Sequence, residues 1–146
     1  MKRLLTMLWS FFGLCLLAGG VAAQSKPYAE GTVWAVSFIQ VKAGMLDVYL
    51  RELAPQRKAI IDEAKKQGLI LSSRILTGPN INKEDWNLMI LDEYKNWAAF
   101  DGLSAKMDAL AAKVVGPEDK QVQLMIKRTE VREIIGGKTM QELMLK

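Results

Sequence analysis

Apolar residues follow strand-like and helix-like spacings in turn along the chain. Residues 33–42 (VWAVSFIQVK) are rich in β-branched and aromatic side chains, which predicts a first strand. Side chains alternate between the two sides of a strand, and both sets of positions here are mostly apolar. We therefore expect both sides of this strand to be buried.

A long amphipathic helix is predicted over residues 45–67, where apolar residues recur at helical spacing. These residues are Leu46, Leu50, Leu53, Ile60, Ile61 and Ala64. Pro55 lies within the segment, and because proline lacks an amide N–H and clashes with the preceding turn, we expect it to kink or divide the helix.

A polar turn at residues 78–85 separates two apolar segments, residues 69–77 and 86–94. Their composition predicts a second and a third strand. The short connection indicates that these strands form an antiparallel hairpin.

A helical region with a break at Gly116 is predicted over residues 96–133. The two glycines at positions 136 and 137 are then expected to form a turn. The pattern of residues 138–146 is compatible with either a strand or a helix.

The order of these elements indicates an α+β fold of the ferredoxin-like βαββαβ type, an antiparallel sheet with its helices on one face. The helices would then cover one side of the first strand and leave its other apolar side bare. We expect a second copy of the chain to cover that side, because the sheet of a partner subunit is the simplest cover available. The sequence therefore predicts a homodimer.

The N-terminus is predicted to be a secretory signal peptide, residues 1–23. Lys2 and Arg3 precede an uncharged apolar run, and small residues end the segment at Ala23. An uncleaved N-terminal anchor is the alternative. We expect an exported protein, periplasmic or extracellular, that meets the membrane only through the signal before cleavage. Residues 24–31 are predicted to be a loose lead-in to a single domain, residues 32–146.

Charge and cysteine content exclude one class of partner and one kind of cross-link. Two of the 20 basic residues lie in the predicted signal, which leaves 18 against 16 acidic residues, without a long basic run. This near balance excludes nucleic acid as an expected partner. The single cysteine, Cys15, also lies in the predicted signal, so we expect no disulfide in the domain.

The sequence contains no histidine, which removes several chemistries. A Ser-His-Asp triad, a histidine-ligated zinc ion and a haem with a proximal histidine are all excluded. Neither a Gly-rich phosphate loop nor EF-hand spacing is present. We therefore expect no metal and no cofactor.

Six polar and aromatic residues are candidate ligand contacts: Arg74, Asn87, Trp86, Ser37, Tyr49 and Trp97. An arginine within a strand would bind an anionic ligand group, or it would pair with Asp92 or Glu93 across the hairpin. The aromatic residues would line an apolar cavity, or they would belong to the core or to a dimer interface.

Several segments resemble the dimeric α+β barrel superfamily, which includes the antibiotic-biosynthesis monooxygenase-like and NIPSNAP-like domains. They are the segments 40–44 (QVKAG), 49–50 (YL), 68–70 (GLI) and 94–97 (YKNW). The resemblance implies two sheets packed face to face across a two-fold axis, with a pocket between each sheet and its helices. Cofactor-free oxygenases of this superfamily hold aromatic substrates with Asn, Trp and Tyr side chains, which is why Asn87 and Trp86 are candidates.

Three functions remain open on the sequence alone. The first is binding of a small, mainly apolar ligand in a pocket between sheet and helices. The second is a cofactor-independent, monooxygenase-like enzyme that uses the same pocket. The third is a structural or interaction module whose pocket is filled by side chains.

Overall fold

The computed structural model describes residues 25–146, which form a four-stranded antiparallel sheet with a layer of helices on one face. The predicted signal peptide lies outside the described residues. The elements in chain order are β1 (Tyr28–Val41), α1 (Leu46–Lys66), β2 (Ser72–Thr77), β3 (Leu88–Tyr94), a 3-10 turn (Trp97–Phe100), α2 (Leu103–Val114), α3 (Glu118–Thr129) and β4 (Arg132–Leu145). The sheet order is β2-β3-β1-β4. The predicted ferredoxin-like arrangement is therefore confirmed.

β1 and β4 pair along almost their whole length, from Tyr28 opposite Leu145 to Val41 opposite Arg132. Two local predictions are wrong for this reason. Residues 28–31, expected to be loose, belong to β1, and the two glycines expected to form a turn lie inside β4. The last segment of the chain, for which strand and helix were both possible, is a strand.

Gly137 is suited to its position because β4 approaches β1 closely there. A Cβ atom at this position would lie 2.9 Å from the main-chain carbonyl oxygen of Val36, whereas one at Gly136 would meet no atom within 4 Å. The pairing register also shifts next to Gly136, which marks a bulge. The glycines thus serve a bulged strand and a close approach of two main chains.

The helical layer packs on the face of the sheet that carries the odd-numbered residues of β1. One core cluster joins α1 to this face at one end: Ile39, Val41, Tyr49, Leu53, Leu88, Ile90 and Val131. A second cluster lies at the other end: Ile61, Ala64, Ile70, Tyr94, Leu103 and Leu110. Helix α1 is not divided at Pro55, which is exposed to solvent within a continuous helix.

The opposite face of the sheet has no helix over it in the part of the chain described here. The pairing register places on this face the apolar residues Trp34, Val36, Phe38, Leu76, Met89, Leu91 and Met140. Val36 is nevertheless buried, between Leu91 and Lys138 in the register. Leu76 and Met140 are about half exposed. The face is thus apolar and open, as the two apolar sides of β1 indicated.

We predict that Gly137→Ala destabilises the fold, because its new methyl group must displace the Val36 carbonyl. The expected loss is about 1–3 kcal/mol in the free energy of unfolding, measured by urea denaturation. Gly136→Ala is the matched control and should change stability by less than about 0.5 kcal/mol. Equal effects of the two substitutions would show that the close approach at Gly137 does not govern stability.

Candidate functional site

A cavity of about 200 Å³ lies in the helical layer between α1 and α3. Its walls are half apolar and half polar: Leu53, Ile60, Val115 and Met125, with Gln56, Arg57, Gln121 and Arg128. The gap reflects the loose packing of α3: none of its residues is buried, and Met125 is 57 % exposed. Two helices therefore meet here without filling the space between them.

Arg57 projects from α1 toward the sheet and binds two side chains there. One of its terminal nitrogens, Nη2, donates to Ser73 Oγ at 2.9 Å and to Asp92 Oδ1 at 2.5 Å. Both side chains of the ion pair are about one-fifth exposed, so the pair is mostly shielded from water. The charge of Arg57 is neutralised by Asp92, and its guanidinium is fixed in place.

Tyr94 lies near this ion pair, on the same side of β3 as Asp92. Burial raises the pKa of its hydroxyl, and the negative charge of Asp92 raises that pKa further. The positive charge of Arg57 lowers it by a smaller amount. Its ring packs on Phe100 with 4.6 Å between centroids. The neutral hydroxyl is thus the favoured form in the folded protein.

Arg128 projects from α3 into the same cavity wall. Its Nη2 donates to Gln56 Oε1 at 2.6 Å, and no carboxylate lies within ion-pair distance of it between residues 25 and 146. Burial lowers the pKa of Arg128, the nearby Tyr49 raises it and the charge of Arg132 lowers it. The cavity therefore contains a partly buried guanidinium bonded to a neutral side chain.

Arg132 adds a second positive charge behind this wall. It is only 8 % exposed, and its guanidinium carbon lies 5.8 Å from the centre of the Tyr49 ring. Its Nε is buried and has no hydrogen-bond partner in the described structure. A cation over an aromatic face is attracted by the ring, but this contact leaves the N–H group unsatisfied.

Sequence reasoning missed Arg57 and Arg128, although Arg57 left a signal. It lies four residues after Leu53 and four before Ile61, so it falls in the middle of the apolar stripe of α1. A charge at such a position must find a partner inside the fold. Arg128 has no comparable signal, because the stripe of α3 is short and its docking depends on distant elements.

The candidates Arg74 and Trp86 lie on the open face of the sheet. The Arg74 guanidinium lies 5.4 Å from the centre of the Trp34 ring, and the ring of Trp86 packs against Phe38 at 5.2 Å. The expected pairing of Arg74 with Asp92 or Glu93 is wrong. Arg74 is opposite Leu91, while Asp92 points to the helical side and Glu93 accepts from Ser72 and Thr32.

Asn87 lies at the end of the hairpin, next to a second groove of about 390 Å³. Its side chain accepts from the Val41 amide at 2.7 Å and donates to the Val41 carbonyl at 2.9 Å. Beside it, Gln40 donates to the carbonyls of Lys83 and Asp85. These bonds extend the contact between β1 and the hairpin past the last β1–β3 pair, Ile39 and Leu88, so they fix the loop to the sheet.

Ser37, Tyr49 and Trp97 lie on the helical side but at separate places. Ser37 is opposite Ile90 and Gly137, Tyr49 is buried on the sheet-facing side of its own helix α1, and Trp97 donates from Nε1 to Gln141 Oε1 at 2.9 Å. None of the six candidates lines the cavity between α1 and α3. Of the six, Tyr49 influences a cavity residue, because it raises the pKa of Arg128. Their roles as ligand contacts stay a prediction.

Two further properties concern residues 25–146 only. No helix in this range has the length and apolar character needed to cross a bilayer. The same residues contain no group of three His, Cys, Asp or Glu side chains placed to hold a metal ion.

Comparison with known proteins supports the fold. No protein-family model and no curated protein matches the chain. A dimeric ferredoxin-like protein from an uncultured marine organism matches with a TM-score of 0.50 and 13 % identity, over 81 % of this chain and 98 % of its own. A dimeric protein of unknown function and ferredoxin-like fold from Bacteroides fragilis matches with a TM-score of 0.37 and 14 % identity, over 80 % and 97 %. The first similarity shows the ferredoxin-like fold.

We predict that the loss of stability at alkaline pH depends on Tyr94. The pKa of the Tyr94 hydroxyl in the folded protein is above the ordinary value of 10.0. The stability that this group contributes is therefore complete below pH 10 and is lost as the pH rises through the pKa of the folded state. Tyr94→Phe keeps the ring and should reduce the decrease in unfolding free energy above pH 10, measured by urea denaturation. The same alkaline slope in both proteins would contradict this assignment.

Proposed function

We propose that the protein is an exported homodimer that binds a small, mainly apolar molecule in the cavity between α1 and α3. The observation that carries the proposal is the unfilled space of about 200 Å³ within the helical layer. A cavity of about 150 Å³ is large enough to hold benzene. A ligand of one ring or a short branched chain therefore fits, which is smaller than a typical drug-sized ligand.

The walls of the cavity suit an apolar ligand of variable shape. Leu53 and Ile60 belong to the rigid helix α1, while Met125 belongs to α3 and is flexible. Because α3 buries none of its residues, it can adjust its position over α1 at low cost. One wall thus offers a fixed surface and the other adapts to the ligand.

The alternative functions have less support. A filled structural module requires side chains in the space that the cavity occupies. An oxygenase of the resembled kind requires an Asn and aromatic residues around one pocket. Here Asn87 is bonded to the main chain of Val41, and Trp86 packs on the other face of the sheet.

Filling the cavity should weaken binding of the ligand. Met125→Trp places a larger side chain at the cavity wall, while Ile126→Trp makes the same change at the next position of α3, which is 60 % exposed and does not line the cavity. We expect Met125→Trp to weaken binding of benzamide at least tenfold and Ile126→Trp to leave it unchanged. Shifts of backbone amide signals during an NMR titration measure both. Equal affinities in the two variants, or no shifts at the cavity in the wild type, would contradict the proposal.

The dimer is proposed to form between the open faces of two sheets. The face is apolar around Trp34, Phe38 and Leu91, which is typical of a buried interface core. It also carries charges of both signs, Arg74 and Lys138 with Glu93, so a two-fold arrangement allows opposite charges to meet. The marine protein of similar fold is dimeric, which supports the same assembly here.

Native mass spectrometry of the protein purified from the exported form tests assembly and export together. We expect twice the mass of residues 24–146. The double substitution Leu76→Glu and Met140→Glu, at two half-exposed positions of the open face, should give a monomer because like charges would meet across the two-fold axis. Leu71→Glu, at an exposed position outside the strands, is the control and should remain dimeric. A monomeric wild type would overturn the dimer, and an uncleaved chain would overturn the predicted processing.

A further inference from the structure

We propose that the ligand of the α1/α3 cavity carries a carboxylate, which binds the guanidinium of Arg128, while its apolar part lies against Leu53, Ile60 and Met125. This inference rests on the proposed binding function and adds the chemical class of the ligand.

The two arginines that line the cavity differ in how they are satisfied. Arg57 has a carboxylate, Asp92, and a hydroxyl, Ser73, within hydrogen-bond distance. Arg128 donates to a single neutral acceptor, Gln56 Oε1. A guanidinium has five N–H donors, so most donors of Arg128 remain available to a ligand.

The acidic side chains near Arg128 are already engaged. Glu52 is close enough to raise the pKa of Arg128, but it accepts a bond of 2.8 Å from Lys127. Asp92 is held by Arg57 and lies on the sheet side. Within the described residues no carboxylate therefore forms an ion pair with Arg128.

Arg132 increases the excess of positive charge. It follows Arg128 by four residues, lies on the buried side of β4, and has an Nε without a partner. Partly buried charges without counter-charges are costly, and an anion placed between the helices offsets that cost. Arg128 and Arg132 thus attract a negative group to the cavity. Arg57 does not add to this attraction, because its charge is cancelled by Asp92.

The shape and composition of the cavity select a carboxylate on an apolar body. Arginine binds a carboxylate through two parallel N–H donors, a geometry that fixes the ligand in one orientation. The apolar lining residues, Leu53, Ile60, Val115 and Met125, present hydrocarbon and a thioether, which favour a ring or a branched chain. Small aromatic and branched aliphatic acids have both features.

Benzoate and benzamide separate the charge from the shape of the ligand, because they share the ring and differ in the anionic group. We expect the wild-type protein to bind benzoate at least tenfold more tightly than benzamide in calorimetric titrations, as a charge-assisted bond contributes more than a neutral one. Arg128→Gln should remove the preference for benzoate, so that the two probes bind with similar affinity. Arg51→Gln, at an exposed position of α1, is the control and should keep the full preference.

Arg128→Lys is the second variant, and thermal unfolding of each protein confirms that it is folded. Lysine keeps the charge but lacks the planar fork, so we expect a reduced preference for benzoate. Equal binding of the two probes by the wild type would overturn the inference and leave the proposed function standing. Binding of neither probe would overturn both, and a full preference in Arg128→Gln would show that Arg128 is not the anchor. Binding of inorganic phosphate as tight as that of benzoate would show a bare anion site.

Discussion

β1 and β4 pair from one end of the sheet to the other, and the remaining elements take their places from this ladder. β1 is the strand between β3 and β4, so it carries the hairpin on one side and the C-terminus on the other. β4 begins at Arg132, three residues after the last residue of α3. The ladder therefore sets where α3 ends, places Arg132 beneath Tyr49, and defines the gap that α3 leaves over α1.

The order of strands and helices could be predicted because apolar spacing reports which side of each element is buried. The errors lie where a contact between distant residues overrides the local signal. Residues 28–31 contain a glycine and polar side chains, yet Tyr28, Ala29 and Glu30 pair with the end of β4. Gly136 and Gly137 look like a turn locally, but the close approach to Val36 is visible only when the two strands are side by side.

The candidate site was harder to predict from the sequence than the fold. A strand sends neighbouring side chains to opposite faces, so candidates chosen for their chemistry, such as Arg74 and Ser37, were divided between two surfaces. Arg57 could be found from its position in an apolar stripe. Arg128 could not, because its importance comes from the lack of an ion-pair partner, and that depends on how distant elements pack.

Because α3 has no buried residues, the residues that stabilise the fold are largely separate from those that line the cavity. The two core clusters contain no residue of α3, although this helix supplies Gln121, Met125 and Arg128 to the cavity. Substitutions on α3 therefore change the wall without disturbing the core that stabilises the sheet. Under the proposed binding function, substitutions confined to this helix would change ligand preference while the architecture stays the same.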